Sequence, residues 1–111
     1  MKQIDAIIKP RQFSDVKEAL MDLGVEEITV TEVKAFGRQG YTEIYHGAQY
    51  SIDFLPEIKL QVLVPDEKAP QIIKTIREAA RNGKIADGKI FIIPVEEVIR
   101  IGTEERGAEA I

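Results

Sequence analysis

The residues that could bind a ligand or take part in a reaction are concentrated between positions 34 and 56, in KAFGRQGYTEIYHGAQYSIDFLP. This stretch holds an arginine, two glutamines, the single histidine and all three tyrosines, interrupted by glycines. Within it, residues 40–50 are too polar for a buried strand and too broken by glycine for a stable helix. A long excursion of this kind in a compact chain is usually functional or disordered. We therefore predict that the rest of the chain is a scaffold that presents this loop.

Two short stretches have residue types that suit an anionic ligand. Arg38 could pair with a phosphate, and Gln39 could ligate a hard cation through its amide oxygen. In the turn ADGKI, residues 86–90, glycine beside lysine could bring backbone N–H groups and an ammonium to a phosphate, although the spacing is not that of a Walker A motif. A solvated loop entry and an ordinary glycine turn explain the same residues, so the local patterns leave both interpretations open.

The histidine and the tyrosines of the loop indicate binding rather than catalysis. A phosphoryl-accepting or metal-binding histidine needs oriented neighbours, whereas His46 stands beside Gly47 in a loop. Tyr41, Tyr45 and Tyr50 suit partner docking or covalent modification, with a core position as the alternative for Tyr50. The sequence has no Ser-His-Asp order, no catalytic carboxylate pair and no cluster of metal ligands. We therefore expect a binding module and not an enzyme.

Length and composition are those of a soluble globular protein. The 111 residues predict one domain over 1–111, with 44% hydrophobic and 31% charged residues. A net charge of −4 gives no bulk attraction to nucleic acid, and the absence of cysteine excludes disulfides and thiolate sites. The N-terminus lacks a signal-peptide pattern, and no apolar run approaches the ~20 residues that cross a bilayer. We expect a cytoplasmic protein without a membrane segment.

Apolar periodicity predicts two β-α-β units, one on each side of the loop. The predicted strands cover about 4–8, 25–33, 57–64 and 90–93, and the helices about 13–23 and 70–81. The predicted inner stripe of the first helix is Phe13, Val16, Leu20 and Leu23. Two split β-α-β halves form an α+β, ferredoxin-like βαββαβ sandwich, with a four-stranded antiparallel sheet and both helices on one face. We expect the open face to pack against other subunits.

Seven stretches in the same order give the whole chain its resemblance to the PII nitrogen-regulatory signal proteins. They are KQIDAIIKP, DVKEAL, VTEVKAFGRQ, TEIYHGAQY, DFLP, GKIADGKIFIIPVEEVIRI and ERGAEAI. Any one of them would be a weak signal, but together they extend over nearly all of the chain. The resemblance implies a homotrimer of ferredoxin-like subunits, each projecting a loop at about 37–54 and ending in a tail at about 102–111.

The resemblance also implies a set of ligands. ATP and ADP, and by extension AMP, would compete for clefts between neighbouring subunits, without any obligatory cofactor. Positions that match the nucleotide contacts of the family are Ile7, Thr29, Phe36, Gly37, Arg38, Gln39, Val64, Asp87, Gly88, Lys89 and Arg100. In the family 2-oxoglutarate binds beside ATP through Mg²⁺, and Gln39 matches the loop glutamine that ligates the metal. Tyr50 matches the tyrosine that many members carry in uridylylated form.

The resemblance implies partners that the loop would regulate. In the family the loop docks on ammonium transporters or on nitrogen-metabolism enzymes, so residues 37–54 are expected to bind such a transporter or an enzyme of nitrogen or carbon metabolism. A transporter partner would bring the protein to the membrane peripherally. Two alternatives stay open: a phosphotransferase on the same fold that uses His46, and a structural trimer with a vestigial ligand site.

Several departures from the family pattern affect the ligand site and the loop. The loop of this chain is one residue shorter than the loop in the family pattern. Glu57 replaces a lysine that pairs with 2-oxoglutarate; at ~4 Å and an effective dielectric near 20, an attraction of about 4 kcal/mol would become a like repulsion. Gly102 replaces one of two phosphate-binding arginines, which favours ADP or AMP over ATP. His46 replaces the arginine that plugs the transporter channel. Ala35 and Ala86 replace glycines and would be strained wherever φ must be positive.

Overall fold

The computed structural model describes residues 1–36, 54–81 and 88–111 in full, together with the backbone of 42–45 and 48–51. The six strands in this part of the chain are β1 (Lys2–Ile8), β2 (Thr29–Ala35), β3 (Thr42–Tyr45), β4 (Ala48–Ser51), β5 (Leu55–Val64) and β6 (Lys89–Pro94). The two α-helices are α1 (Phe13–Asp22) and α2 (Ala69–Ala80). Short 3₁₀ turns cover Pro10–Gln12, Asp66–Lys68 and Gly107–Ala110.

The main sheet has the strand order β2-β5-β1-β6, and every neighbouring pair is antiparallel. The central strands are therefore β1 and β5, while β2 and β6 form the edges. Helix α1 connects β1 to β2 and helix α2 connects β5 to β6. This arrangement of two split β-α-β units confirms the predicted ferredoxin-like fold. No helix in the fully described ranges is long and apolar enough to cross a membrane.

The hydrophobic core lies between the helices and one face of the sheet. Alternate residues of the two central strands face each other in register, with Ile4 opposite Val62 and Ala6 opposite Leu60. All four are at most 3% exposed. The helices add Val16, Leu20, Ile72 and Ile76 to this cluster. Each large aliphatic side chain buried in this way contributes about 1.5–3 kcal/mol to stability.

The end of α1 places one predicted core residue at the surface. Leu23 was expected on the inner stripe, but it is 38% exposed. The helix ends at Asp22, and Gly24 takes the left-handed conformation with φ +89. The N–H groups of Gly24 and Val25 donate to the carbonyls of Met21 and Leu20, at 2.9 and 3.1 Å, which is the Schellman pattern. Because of this reversal, Leu23 does not lie on the inner face of the helix. Strand β2 begins at Thr29, whereas the predicted strand began at about residue 25.

The stretch between β2 and β5 was predicted to have no regular structure, and this expectation is wrong in part. It contains the antiparallel pair β3–β4, registered from Thr42 opposite Ser51 to Tyr45 opposite Ala48. The β-branched and aromatic residues of these two segments favour strands. The glycines lie outside both strands, so they interrupt the stretch without preventing the pairing.

Candidate functional site

The predicted nucleotide residues that the structure describes form two groups on different parts of the sheet. The first group is at the end where β1 finishes: Ile7 pairs with Lys89, and Gly88 directly precedes Lys89. Phe36 belongs to the same end, because Ala35 before it pairs with Leu55 at the start of β5. This end therefore brings together a lysine, an aromatic ring and a glycine turn.

The second group lines a cavity toward the opposite end of the sheet. Thr29, Val64 and Arg100 all contribute to its wall, and the cavity has a volume of about 1010 Å³. Val64 pairs with Lys2 at the beginning of β1, five residues from Ile7. At ~3.3 Å per residue this places the two groups about 17 Å apart along the strand. Within one copy of the chain, the predicted contact residues therefore lie in two separate groups.

Gly88 is required by the close approach of two backbone segments. Its φ is +113, a conformation that non-glycine residues rarely adopt. A Cβ at this position would overlap the carbonyl oxygen of Ile7 and lie 3.0 Å from the carbonyl carbon. Only glycine therefore lets the chain enter β6 with Lys89 directly opposite Ile7. This geometry is the physical reason for a glycine at the centre of the Asp-Gly-Lys sequence.

Arg100 is held at the base of a tight loop beside the cavity. Its backbone N–H donates to the carbonyl of Glu105 and its carbonyl accepts from the N–H of Glu104, both at 2.9 Å. Within the loop, a Cβ added at Gly102 would meet no heavy atom within 4 Å. The Arg100 guanidinium lies 3.6 Å from a carboxylate oxygen of Glu27. The loop thus directs one cation at the cavity and leaves open space where the resemblance expects a second arginine.

Glu57 has a partner that the sequence analysis missed. The Lys9 ammonium lies 3.0 Å from a Glu57 carboxylate oxygen, and the two side chains are only 11% and 7% exposed. Glu57 alternates with Ile58, so it belongs to the face of β5 that points away from the helices. Register with β1 could have indicated the pairing, but register is known only once the sheet order is known. Glu57 is therefore not an unpaired negative charge.

The open face of the sheet combines a polar centre with exposed apolar residues. Asp5 is 6% exposed, and its carboxylate accepts hydrogen bonds from the side-chain amides of Gln3 and Gln61 at 2.9 and 3.2 Å. Phe91, which pairs with Asp5, is 49% exposed, and Ile93 is 41% exposed. Exposed apolar groups beside satisfied polar ones are typical of a surface that contacts another protein.

The two ends of the excursion meet at an aromatic pair. The rings of Phe36 and Phe54 have centroids 5.4 Å apart and planes inclined at 41°. Both side chains remain more than 60% exposed. Phe54 was not among the predicted site residues, although it directly precedes β5 as Phe36 directly follows β2. The aromatic pair therefore brings together the base of the segment that the sequence analysis assigned to partner binding.

Several predicted site residues lie outside the described part of the chain. These are Gly37, Arg38, Gln39 and Asp87, together with His46, on which the phosphotransferase alternative depends. Tyr50 belongs to β4, where only the backbone is described. Ala35 is described and does not have a positive φ, so it carries none of the strain considered above. In the fully described ranges, no group of three or more histidine, aspartate or glutamate residues could hold a metal ion.

Comparisons with known proteins agree over nearly the whole chain. The sequence profile described as "Nitrogen regulatory protein P-II" matches residues 1–105. The nitrogen regulatory protein P-II of Rhizobium meliloti (strain 1021) is 57% identical over the full length of both chains. Nitrogen regulatory protein P-II 1 of Escherichia coli (strain K12) is 54% identical, again over both full lengths.

A solved structure extends the agreement to three dimensions. The Arabidopsis thaliana PII structure, which is described as bound to citrate, superposes with a TM-score of 0.81 at 34% identity. The match covers 99% of this chain and 91% of the Arabidopsis chain. The family profile, the full-length relatives and the fold therefore lead to one conclusion: the chain belongs to the nitrogen regulatory protein P-II family of signal-transduction regulators.

Proposed function

We propose that this regulator binds the adenine nucleotides ATP, ADP and AMP in clefts between the subunits of a homotrimer. The observation that carries the proposal is the division of the predicted contacts into two groups. Ile7, Gly88 and Lys89 lie at one end of β1, whereas Val64 and Arg100 lie toward the other. A cleft between two copies can join the first group of one copy to the second group of its neighbour.

The open face of the sheet supports the assembly that such clefts need. Phe91 and Ile93 are exposed there, and the polar side chains of Asp5, Gln3 and Gln61 beside them are hydrogen-bonded to one another. Packing this face against other copies would bury apolar surface without leaving the Asp5 carboxylate unpaired. Multi-angle light scattering tests the assembly. We expect about three times the 12.5 kDa mass of one chain, and a monomer would refute the shared cleft.

Calorimetric titration tests nucleotide binding directly. Each nucleotide is titrated into the wild-type protein and into Lys89→Ala, Arg100→Ala and Lys74→Ala. Lys74 is a matched control, because it is an exposed lysine on α2 whose described partner is Glu78 on the same helix. Loss of a charged hydrogen bond costs about 1.5–3 kcal/mol, so the first two variants should bind about ten- to a hundredfold more weakly. Equal affinity in all four proteins would refute the assignment of the two groups.

The buried ion pair supports weakened 2-oxoglutarate sensing. At this end of the sheet Lys89 is assigned to the nucleotide, and the ammonium of a second lysine, Lys9, already contacts Glu57 at 3.0 Å. A dicarboxylate such as 2-oxoglutarate would therefore approach an ion pair with no net charge. If the dicarboxylate displaced Glu57 from Lys9, the buried Glu57 carboxylate would lose this cation. This reason differs from the simple charge repulsion estimated from the sequence, because Lys9 compensates much of the Glu57 charge.

Titration of 2-oxoglutarate in the presence of ATP and Mg²⁺ tests this proposal. We expect no binding at micromolar concentration to the wild-type protein. Lys9→Met combined with Glu57→Lys should gain affinity, since it replaces the neutral pair by a single cation without placing two like charges together. Glu67→Gln makes the same net change of charge at an exposed site after β5 and should gain none. Micromolar affinity of the wild-type protein would contradict the proposal.

The segment 37–54 is proposed to carry the output of the sensor to a cytoplasmic enzyme of nitrogen or carbon metabolism, or to an ammonium transporter at the membrane. The contact between Phe36 and Phe54 supports this role, because it connects the two ends of the segment beside the first group of nucleotide residues. Co-purification with the intact protein and with a variant in which 38–53 is replaced by a short glycine linker tests it. A partner retained equally by both proteins would refute the role of the segment.

A further inference from the structure

We propose that Glu27 determines the preference of the cavity among AMP, ADP and ATP. Its carboxylate forms an ion pair with Arg100 and must be displaced by an incoming phosphate. The proposal rests on the proposed nucleotide binding and goes beyond it by assigning a specificity-determining residue. Glu27 is not among the predicted nucleotide contacts. The structure connects it with the proposed site, because Glu27 and Arg100 line the same cavity.

The geometry of the pair allows exchange. A carboxylate oxygen of Glu27 lies 3.6 Å from the Arg100 guanidinium, beyond the 2.7–2.9 Å that is typical of a charged hydrogen bond. The side chains are 42% exposed for Arg100 and 81% exposed for Glu27. Neither group is locked by burial, so a phosphate that offers two oxygens to the guanidinium can replace the single long contact.

The charges around the cavity make Glu27 the important carboxylate. The cavity wall contains three glutamates (Glu26, Glu27 and Glu97), but Glu97 is paired with Arg106 at 2.9 Å. Of the wall cations Lys68 and Arg100, Arg100 is the one in an ion pair with Glu27. Each additional phosphate on a nucleotide brings more negative charge toward these carboxylates. The cost of binding should therefore rise from AMP to ADP to ATP.

This effect is separate from that of Gly102. The glycine removes a donor that the family places near the terminal phosphate, whereas Glu27 competes for the donor that remains. Both effects weaken the binding of ATP relative to that of AMP. They can be distinguished because restoring an arginine at position 102 leaves the pair of Glu27 and Arg100 unchanged.

Calorimetric titration of ATP, ADP and AMP into wild-type protein, Glu27→Gln and Glu26→Gln tests the proposal. Glutamine preserves the size of the side chain and removes only its charge. Glu26 is the matched control, since it lines the same cavity without an ion pair to Arg100 among the described residues. An exposed ion pair is worth up to ~1 kcal/mol, so Glu27→Gln should tighten ATP binding about two- to fivefold. AMP affinity should change by less than this, and Glu26→Gln should have the smaller effect on ATP.

Two outcomes would overturn the inference while leaving nucleotide binding intact. One is unchanged ATP affinity in Glu27→Gln, and the other is an equal gain in Glu26→Gln and Glu27→Gln, which would indicate bulk charge alone. Absence of nucleotide binding in all three proteins would instead overturn the proposed function itself. Thermal unfolding of the variants verifies that these exposed substitutions leave the fold unchanged.

Discussion

The ammonium of Lys9 and the carboxylate of Glu57 lie 3.0 Å apart with both side chains almost fully buried. Residues separated by 48 positions in the chain thus form one neutral unit at the end of the central strands. Each group compensates part of the desolvation cost of the other, and removal of Lys9 would leave the buried Glu57 carboxylate without this cation. The pair is therefore a structural element of the fold, and it is also the obstacle to 2-oxoglutarate binding that we propose.

We predict that Lys9→Met is strongly destabilising and that Lys9→Met combined with Glu57→Leu is much less so. The single variant leaves the buried Glu57 carboxylate without the Lys9 ammonium and should cost about 3–5 kcal/mol in the free energy of unfolding. The double variant removes both charges. Urea denaturation of wild type, Lys9→Met, Glu57→Leu and the double variant measures the difference. A stability of Lys9→Met within ~0.5 kcal/mol of wild type would show that the pair is not effectively desolvated.

We predict that Gly88→Ala lowers the free energy of unfolding, because it disrupts the junction between Ile7 and the start of β6. The positive φ alone costs about 1–3 kcal/mol for a non-glycine residue, and the overlap with the Ile7 carbonyl adds to this. Gly102→Ala is the matched control, because its Cβ would meet open space and its backbone is not left-handed. The control should stay within ~0.5 kcal/mol of wild type in denaturant unfolding. Equal stability of the two variants would contradict the close approach at Gly88.

We predict that Gly102→Arg increases affinity for ATP more than for AMP. The loop has room for a side chain at this position, and Arg100 beside it lines the cavity. A new charged hydrogen bond is worth about 1.5–3 kcal/mol, so a tenfold or larger gain for ATP is expected. Calorimetry measures the gain, and Gly102→Gln controls for the added side chain without its charge. An equal gain for AMP would show that the new group does not reach the terminal phosphates.

We predict a pH-dependent stability contribution from the contact between the N-terminus and Asp66. The Met1 ammonium lies 2.8 Å from the Asp66 carboxylate, and their hydrogen bond holds the pKa of Asp66 below its ordinary 3.8. A carboxyl with a lowered pKa in the folded state contributes stability above pH 3.8 and loses it as the pH falls through the folded-state value. The midpoint temperature of thermal unfolding should therefore fall less steeply between pH 5 and about pH 2 for Asp66→Asn than for wild type.

Glu67→Gln provides the control for that measurement, since it removes a neighbouring carboxylate in the same 3₁₀ turn. We expect its pH profile to follow wild type more closely than that of Asp66→Asn. A tag added to the N-terminus should resemble Asp66→Asn, because it removes the ammonium from its position. Parallel profiles for wild type and Asp66→Asn would rule out the contact as a source of pH dependence.

The sequence alone determined the order of the main elements and the identity of most core residues. Apolar periodicity predicted a strand at about 57–64, and the alternate apolar residues of that segment, Leu60, Val62 and Val64, are buried. Such patterns are local, because burial of one face imposes its own period on the residues of a strand or helix. The local approach failed at Leu23, where a backbone reversal at Gly24 ends the helical period.

Only the tertiary structure decided which distant residues meet. Three features depend on strand order and register: the pairing of Lys9 with Glu57, the contact of Glu27 with Arg100, and the separation of the predicted nucleotide contacts into two groups. A period of two residues assigns a side chain to a face, but it does not say which strand lies beside it or in which register. The residue types that suit a ligand could therefore be read from the sequence. How their charges are compensated, and how they are divided along the sheet, required the fold.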